Sequence, residues 1–352
     1  MSVGERLKMA RRMAGLSQRA LAERAGVSAM AISKYERGIN VPGSDVLIRL
    51  AQALGVKVEY LLRPVTVSLS APAYRRRSTL RKKDERAILE RTRDWLERYL
   101  DVESLLGDVP AFTWPDIDRR VAELEEVEQI ALRLRQAWKL GLDPIDNLVE
   151  ILETQGIKVG MVDGVDDFDA LTMWANDAIP IIVVKRDVPG DRQRFDLAHE
   201  LGHLLLNVAH GVDEEKAAYR FAAALLAPAP VARVELGDHR NTLSLYELHL
   251  LKHKYGLSMQ AWVYRARDLG IISASTAERL FRKFRQEGWH RREPGDQIPS
   301  EQPGRMKRLV LRALAEDVIS RSRAAELVGM PLHQFCDQEA QQHAGFSPDI
   351  CR

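Results

Sequence analysis

The sequence predicts a multidomain chain: an all-α helix-turn-helix head, an α+β body and a helical C-terminal extension. Three observations predict it. Residues 3–62 break into short amphipathic helices punctuated by Gly15, Gly26, Gly38 and Gly55, with no strand-like run among them. Three strand-like runs, 157–162, 171–174 and 179–184, lie between helical patterns, as in a mixed domain. The charge also divides. Residues 1–83 carry 17 Lys and Arg against 5 Asp and Glu, a net of +12, and the remainder carries 35 against 45, a net of −10. The whole-chain value of +2 thus conceals a basic module suited to a polyanion and an acidic body with a different task.

Several classes are excluded early. With 352 residues, 45% of them hydrophobic, the chain can bury two or three cores and is too apolar for a disordered tail. Cys336 and Cys351 are the only cysteines, so neither a disulfide framework nor a cysteine zinc ribbon is available. The first residues lack an apolar signal region, and no apolar run reaches the length of a membrane span. A cytoplasmic location is expected, nucleoid-associated when the chain is bound to DNA, with no membrane partner. All nine histidines lie at or after His199, which confines imidazole chemistry to the second half.

In the head, residues 3–14 carry an apolar stripe through Val3, Leu7, Ala10 and Met13. Ser17 caps a helix over 18–25 that Gly26 stops, and Ser28 caps another over 29–37 that Gly38 stops. Residues 45–54 and 58–62 complete the set. Two short helices about Gly26-Val27-Ser28 form a helix-turn-helix, whose second helix would enter a major groove by its N-terminal side chains. The stretch from Leu16 to Val56, through Ser17-Gln18, Tyr35-Glu36-Arg37-Gly38, Pro42 and Leu50-Ala51, resembles the Xre/Cro-type helix-turn-helix family. That resemblance implies double-stranded operator DNA as partner. It places Gln18 and Lys34 on phosphates and Ala29, Met30 and Ser33 on base edges, with Ser28 and Arg37 beside them. Ala29 and Met30 offer only apolar contact, such as to a thymine methyl.

Residues 64–84 read as a basic linker, with Arg75, Arg76, Arg77, Arg81, Lys82 and Lys83 within nine positions. It is read equally as a phosphate-tracking arm or as a solvated connection. Residues 84–106 and 118–140 then read as two long amphipathic helices, expected to pack in a core and, as a second role, to support a homodimer.

A helix is expected over 143–155, and another begins at Pro189. Within the latter lies His199-Glu200-Leu201-Gly202-His203. Residues four apart on a helix project from one face, so both imidazoles reach a single ion. Glu200, rotated by about 100° from His199, is suited to a water on that ion rather than to ligation. Neutral imidazoles with a carboxylate suit Zn²⁺. A metzincin-type third histidine is disfavoured, because that pattern requires Gly and His where Leu206 and Ala209 stand. The following helix, 213–226, supplies Asp213, Glu214 and Glu215. Glu215 shares a face with Ala218 and Ala222 and is preferred, with Glu214 second.

This segment, RQRFDLAHELGHLLLN followed by EEKAAYRFAAALLAP, resembles the ImmA/IrrE metallopeptidase family. The likeness continues through LLKHKYGLSMQAWVYRARDLGII, Glu293-Pro294 and Glu301-Gln302-Pro303, covering about residues 145–335. It implies an α+β zincin-like metallopeptidase domain in which His199 and His203 bind zinc and Glu200 is the general base. Many members of that family carry an acidic residue where this chain has Ala217, and Asn or Asp where it has Tyr219.

The expected organisation is a head over 1–63, the linker 64–84, a helical connector 85–142, a zincin-like core 143–240, a helical region 241–335 and a loose tail 336–352. The expected function is that of a DNA-binding transcriptional regulator with a zinc endopeptidase domain. Its substrate would be a protein or peptide, such as a repressor in a stress or phage response. Strand 179–184 is the expected partner for an extended substrate. Two alternatives are a repressor whose zincin-like domain is a silent sensor and the DNA-binding antitoxin of a two-gene module.

Overall fold

The computed structural model describes residues 3–70, 81–163 and 168–345. Arg75, Arg76, Arg77 and Cys351 lie outside the described residues. The head comprises α1 (Val3–Met13), α2 (Gln18–Ala25), α3 (Ala29–Glu36), α4 (Ser44–Leu54) and α5 (Val58–Leu62). Ser17 Oγ accepts from Ala20 N and Ser28 Oγ from Ala31 N, so both serines act as N-caps. Gly26, at φ +63°, closes α2 in the left-handed region that a side chain would strain. Leu7, Leu21, Ile32, Leu50 and Leu61, all without solvent exposure, form the core of the head.

The chain then crosses to the body. Helix α6 (Lys82–Leu106) is followed by β1 (Arg120–Val121), α7 (Glu126–Ala137) and α8 (Leu148–Thr154). Here the expected helices 118–140 and 143–155 prove too long. Residues 120–121 instead pair in parallel with β5 (Asn207–Val208), and Glu126 Oε2 accepts from the backbone of Ala122 and Glu123 at 2.6 and 3.2 Å. That side chain satisfies donors that an unbroken helix would have directed along its own axis.

The central sheet has the order β2-β4-β3, from β2 (Lys158–Val162), β3 (Ala170–Ala175) and β4 (Ile179–Lys185). β4 runs parallel to β2 and antiparallel to β3. Its side chains alternate between two cores. Ile182 and Val184 join Leu197, Ala198 and Leu201 of α9 (Gly190–Leu205), while Ile181 and Val183 join Ile88 and Leu96 of α6. Because β4 is flanked on both edges, the expectation that it pairs with a substrate fails: its main-chain groups are already used. The edges are β2 and β3. Part of the β3 edge is taken by the linker, where Ser70 N donates to Trp174 O at 2.8 Å and Asn176 N to Ser68 O at 3.0 Å.

The remaining helices are α10 (Glu214–Leu226), α11 (Ala229–Leu236), α12 (Leu245–Tyr255), α13 (Met259–Asp268), α14 (Ala274–Gln286), α15 (Arg305–Ala315), α16 (Arg321–Val328) and α17 (Leu332–Gly345). The tail expected to be loose beyond Asp337 is therefore helical as far as Gly345, anchored by buried Phe335. Among the described residues no helix is long and apolar enough to cross a membrane.

Head and body are joined by charge. Arg6, 2% exposed, bridges to Glu97 of α6 at 2.6 Å and donates to the Arg63 carbonyl at 3.0 Å. Arg12 reaches Glu90 at 3.3 Å, and Arg11 holds Glu36 within the head. The +12 of the first 83 residues is therefore not all presented to an outside polyanion, since these three arginines have protein partners.

Candidate metal centre and nucleic-acid interface

Helix α9 begins after Pro189, whose φ of −56° suits a helix start. The loop 298–301 fixes its first turns. Gly190 N donates to Ile298 O at 2.7 Å, and the Gln193 side chain exchanges hydrogen bonds with the Glu301 backbone at 2.9 and 2.7 Å. Arg194 pairs with the Glu301 carboxylate at 2.6 Å, and buried Lys252 meets Asp191 and Glu293 at 3.3 and 3.1 Å. The acidic-proline segments about Glu293 and Glu301, which the sequence left without roles, hold the helix that carries the cluster.

Helix α10 packs directly on α9. A Cβ at Gly202 would meet the Ala218 Cα and Phe221 Cδ1, each at 3.2 Å, so the glycine between the two histidines permits this close approach. Asp213 caps α10 by accepting from Lys216 N at 3.1 Å. Its first turn then faces the histidines. His199 Nε2 and His203 Nε2 stand 3.1 Å apart. Glu215 lies 3.5 Å from His199 Nε2 and 3.6 Å from His203 Nε2. Glu214 instead faces the opposite ring nitrogen, 3.7 Å from His203 Nδ1.

These spacings suit one tetrahedral ion, whose ligand atoms at about 2.0–2.2 Å would lie roughly 3.3–3.6 Å apart. Among the described residues His199, His203 and Glu215 form the one such group of three donors. Burial, with the charge of His203, lowers the His199 pKa to about 3, so its ring is neutral and its lone pair available near neutrality. Glu200 is pushed up to about 8 by burial, reinforced by the charges of Asp196 and Glu215. Asp196, one turn earlier on α9, is pushed up to about 7, mainly by burial. The sequence treated Tyr219 only as a departure from a family pattern. Its ring lies 4.4 Å from that of His199 and stacks on Phe195 at 5.9 Å. The available signal was its spacing, one turn beyond Glu215 on α10.

In the head, Ser28, Ala29, Met30 and Arg37 are exposed, and Ser33 and Lys34 are partly so. Met30 is 67% exposed at the start of α3, a large apolar side chain with no place in the core. Gln18 departs from its expected availability, because its Nε2 donates to Glu36 at 2.8 Å beside the Arg11–Glu36 pair.

Comparison with known proteins finds two separate matches along the chain. A helix-turn-helix family matches residues 7–61, and an IrrE N-terminal-like domain family matches residues 153–267. The chain is 33% identical over 149 residues to the HTH-type transcriptional regulator ImmR of Bacillus subtilis, spanning 42% of this chain and 97% of that protein. An uncharacterised HTH-type regulator of Mycobacterium tuberculosis is 45% identical over 58 residues, 16% of this chain and 41% of its own length. A prophage-derived HTH-type regulator of B. subtilis is 38% identical over 60 residues, 17% of this chain and 56% of its own length. The chain belongs to the HTH-type transcriptional regulators, with an Xre-type DNA-binding head joined to an IrrE-like domain of metallopeptidase-like fold.

Proposed function

We propose that this regulator is also a zinc-dependent endopeptidase that cleaves a protein substrate such as a repressor. The observation that carries the reading is the convergence of His199, His203 and Glu215 donors at 3.1–3.6 Å beside the half-buried Glu200. His199, His203 and Glu215 would hold the ion, with Glu214 beside the other ring nitrogen of His203, 3.7 Å from Nδ1. Zinc, when bound, polarises a peptide carbonyl and acidifies its water. Glu200 would serve as the base toward an attacking water and then as the acid toward the leaving amine, roles suited to a carboxyl tuned toward neutrality. Tyr219 covers His199 and narrows access to it. An extended substrate adds to the sheet along the part of the β3 edge that the linker leaves open, since β4 is enclosed.

In the head, α3 enters the major groove. Ala29, Met30 and Ser33 face base edges, while Lys34 and Arg37 reach phosphates with Ser28 at the helix start. Gln18 acts through its place beside Glu36. As a homodimer the protein would read half-sites about 34–36 Å apart.

The test is incubation of zinc-loaded protein and its Glu200→Gln variant with candidate repressors, products being read by mass spectrometry. Expected is cleavage by the parent alone, slower by about 10²-fold or more in a variant that retains zinc. Absence of cleavage in both, with identical promoter regulation in cells, rejects the endopeptidase and leaves a DNA-binding regulator.

A further inference from the structure

Between α6, β2 and helices α15–α17 lies a cavity of about 330 Å³ that shares no residue with the metal-ligand cluster. This falls at the lower end of small-molecule pockets, about 300–1,000 Å³. Trp95 and Met161 form one apolar wall, and Met306, Met330 and Phe335 form another. Two buried polar side chains break this surface. Glu153, 3% exposed, accepts through Oε2 from the backbone of Gly304 and Arg305 at 3.1 and 3.0 Å, while its Oε1 has no hydrogen-bond partner among the described residues. Tyr99 has no solvent exposure, and its hydroxyl has the Arg305 guanidinium as its charged neighbour. A buried carboxylate oxygen left without a partner is costly, and such an exception needs a reason. Burial also pushes the Glu153 carboxyl upward, favouring the protonated form, which can donate as well as accept.

Two cationic residues, Arg186 and Lys307, also line the cavity, and Lys307 is exposed with no ion pair among the described residues. Arg186 is held toward it by Asp163 at 2.7 Å and Gln302 at 3.4 Å. We propose that this cavity binds a small amphipathic organic anion: a carboxylate at Lys307 and Arg186, an apolar body against Trp95, Met306 and Met330, and a hydroxyl or carbonyl at its buried end held by Glu153 and Tyr99. The site goes beyond the peptidase reading, because it needs neither zinc nor Glu200. Its wall residues Trp95 and Tyr99 belong to the helix whose Glu97 grips Arg6 of the head, two residues from each and so on the opposite helical face. An occupant would therefore press on the element that carries the DNA-binding domain.

The probe is 8-hydroxyoctanoate, titrated calorimetrically into the full-length protein, with 1,8-octanediol as its uncharged counterpart. Expected are saturable one-to-one binding of the acid and binding about fivefold or more weaker for the diol, the scale of an ion pair. Lys307→Ala, at a residue with no ion pair among the described residues, should reduce affinity for the acid toward that of the diol, and Arg186→Ala should do the same. Met330→Trp, which fills the cavity, should abolish binding. Non-saturable uptake, equal affinity for acid and diol, or affinity unchanged in the two cation variants would each overturn the proposal.

Discussion

At the scale of single residues, the same short motif combines readily visible and hidden properties. The spacing of His199 and His203 is enough to put both on one helical face, and the apolar register of 213–226 favours Glu215 over Glu214. The structure brings Glu215 to both Nε2 atoms and leaves Glu214 at Nδ1. For Tyr219 the sequence offers only its spacing one turn beyond Glu215, because a ring contact between two helices leaves no further one-dimensional pattern. Nor was the environment of Glu200. Its ordinary value is 4.5 and its value in the folded, metal-free chain is about 8, so the folded state keeps a proton that the unfolded chain has released. A folded state that binds more protons loses stability as pH rises. This penalty is absent below about pH 4.5, grows between the two values and is complete above about 8. Glu200→Gln removes the group. After chelation of metal, its Tm relative to the parent should rise progressively from pH 4.5 to 8 in scanning calorimetry. A difference that stays flat across that range would show that Glu200 is not held protonated. With zinc bound the dependence should shrink, because a dication favours the ionised carboxylate.

At the scale of elements, the regular helices of the head were legible because serine caps and glycine stops are local signals. The break at residues 118–125 was not, since the pairing of Arg120–Val121 depends on Asn207–Val208, far along the chain. The place of β4 in the sheet was hidden for the same reason: a strand pattern identifies a strand, not its neighbours. The pairing of α9 with α10 depends on a smaller feature, Gly202. A methyl group there must displace the Ala218 backbone or the Phe221 ring, both now at 3.2 Å from the position it would take. Gly202→Ala therefore sets helix propensity, which favours alanine by about 1 kcal/mol, against overpacking, which costs about 1–3 kcal/mol. Overpacking should win, because Ala218 and Phe221 are buried and cannot turn away. Denaturant unfolding should show net destabilisation, and competition with a chelator should show weaker zinc binding as Glu215 retreats with α10. Wild-type zinc affinity in this variant would mean that α10 does not position the third donor.

For the whole molecule, the opposed charges of head and body first suggested two independent modules with separate partners. Part of that opposition is internal, and the Arg6–Glu97 contact shows why its effect on stability differs from that of a surface pair. Both side chains are almost fully buried, at 2% and 4% exposure, and Glu97 also accepts from Thr66 N at 3.2 Å while Arg6 lies 5.3 Å from the Tyr60 ring centre. Removing one partner leaves the other charge buried and uncompensated, at a cost of about 3–5 kcal/mol. Replacing both with apolar residues of similar volume removes the charge together with its desolvation penalty and is often neutral. Glu97→Ala should therefore separate the melting of the head from that of the body in calorimetry, with the head lost first. The double variant Arg6→Met with Glu97→Leu should recover most of the lost stability. If the single variant melts as the parent does, the pair is not what fixes the head. If the double variant is no better than the single, the contact is held by its hydrogen bonds to Arg63 and Thr66 rather than by its charges. The expected ordering, parent close to double and both above single, would make this ion pair the joint through which movement of α6 reaches the DNA-binding surface.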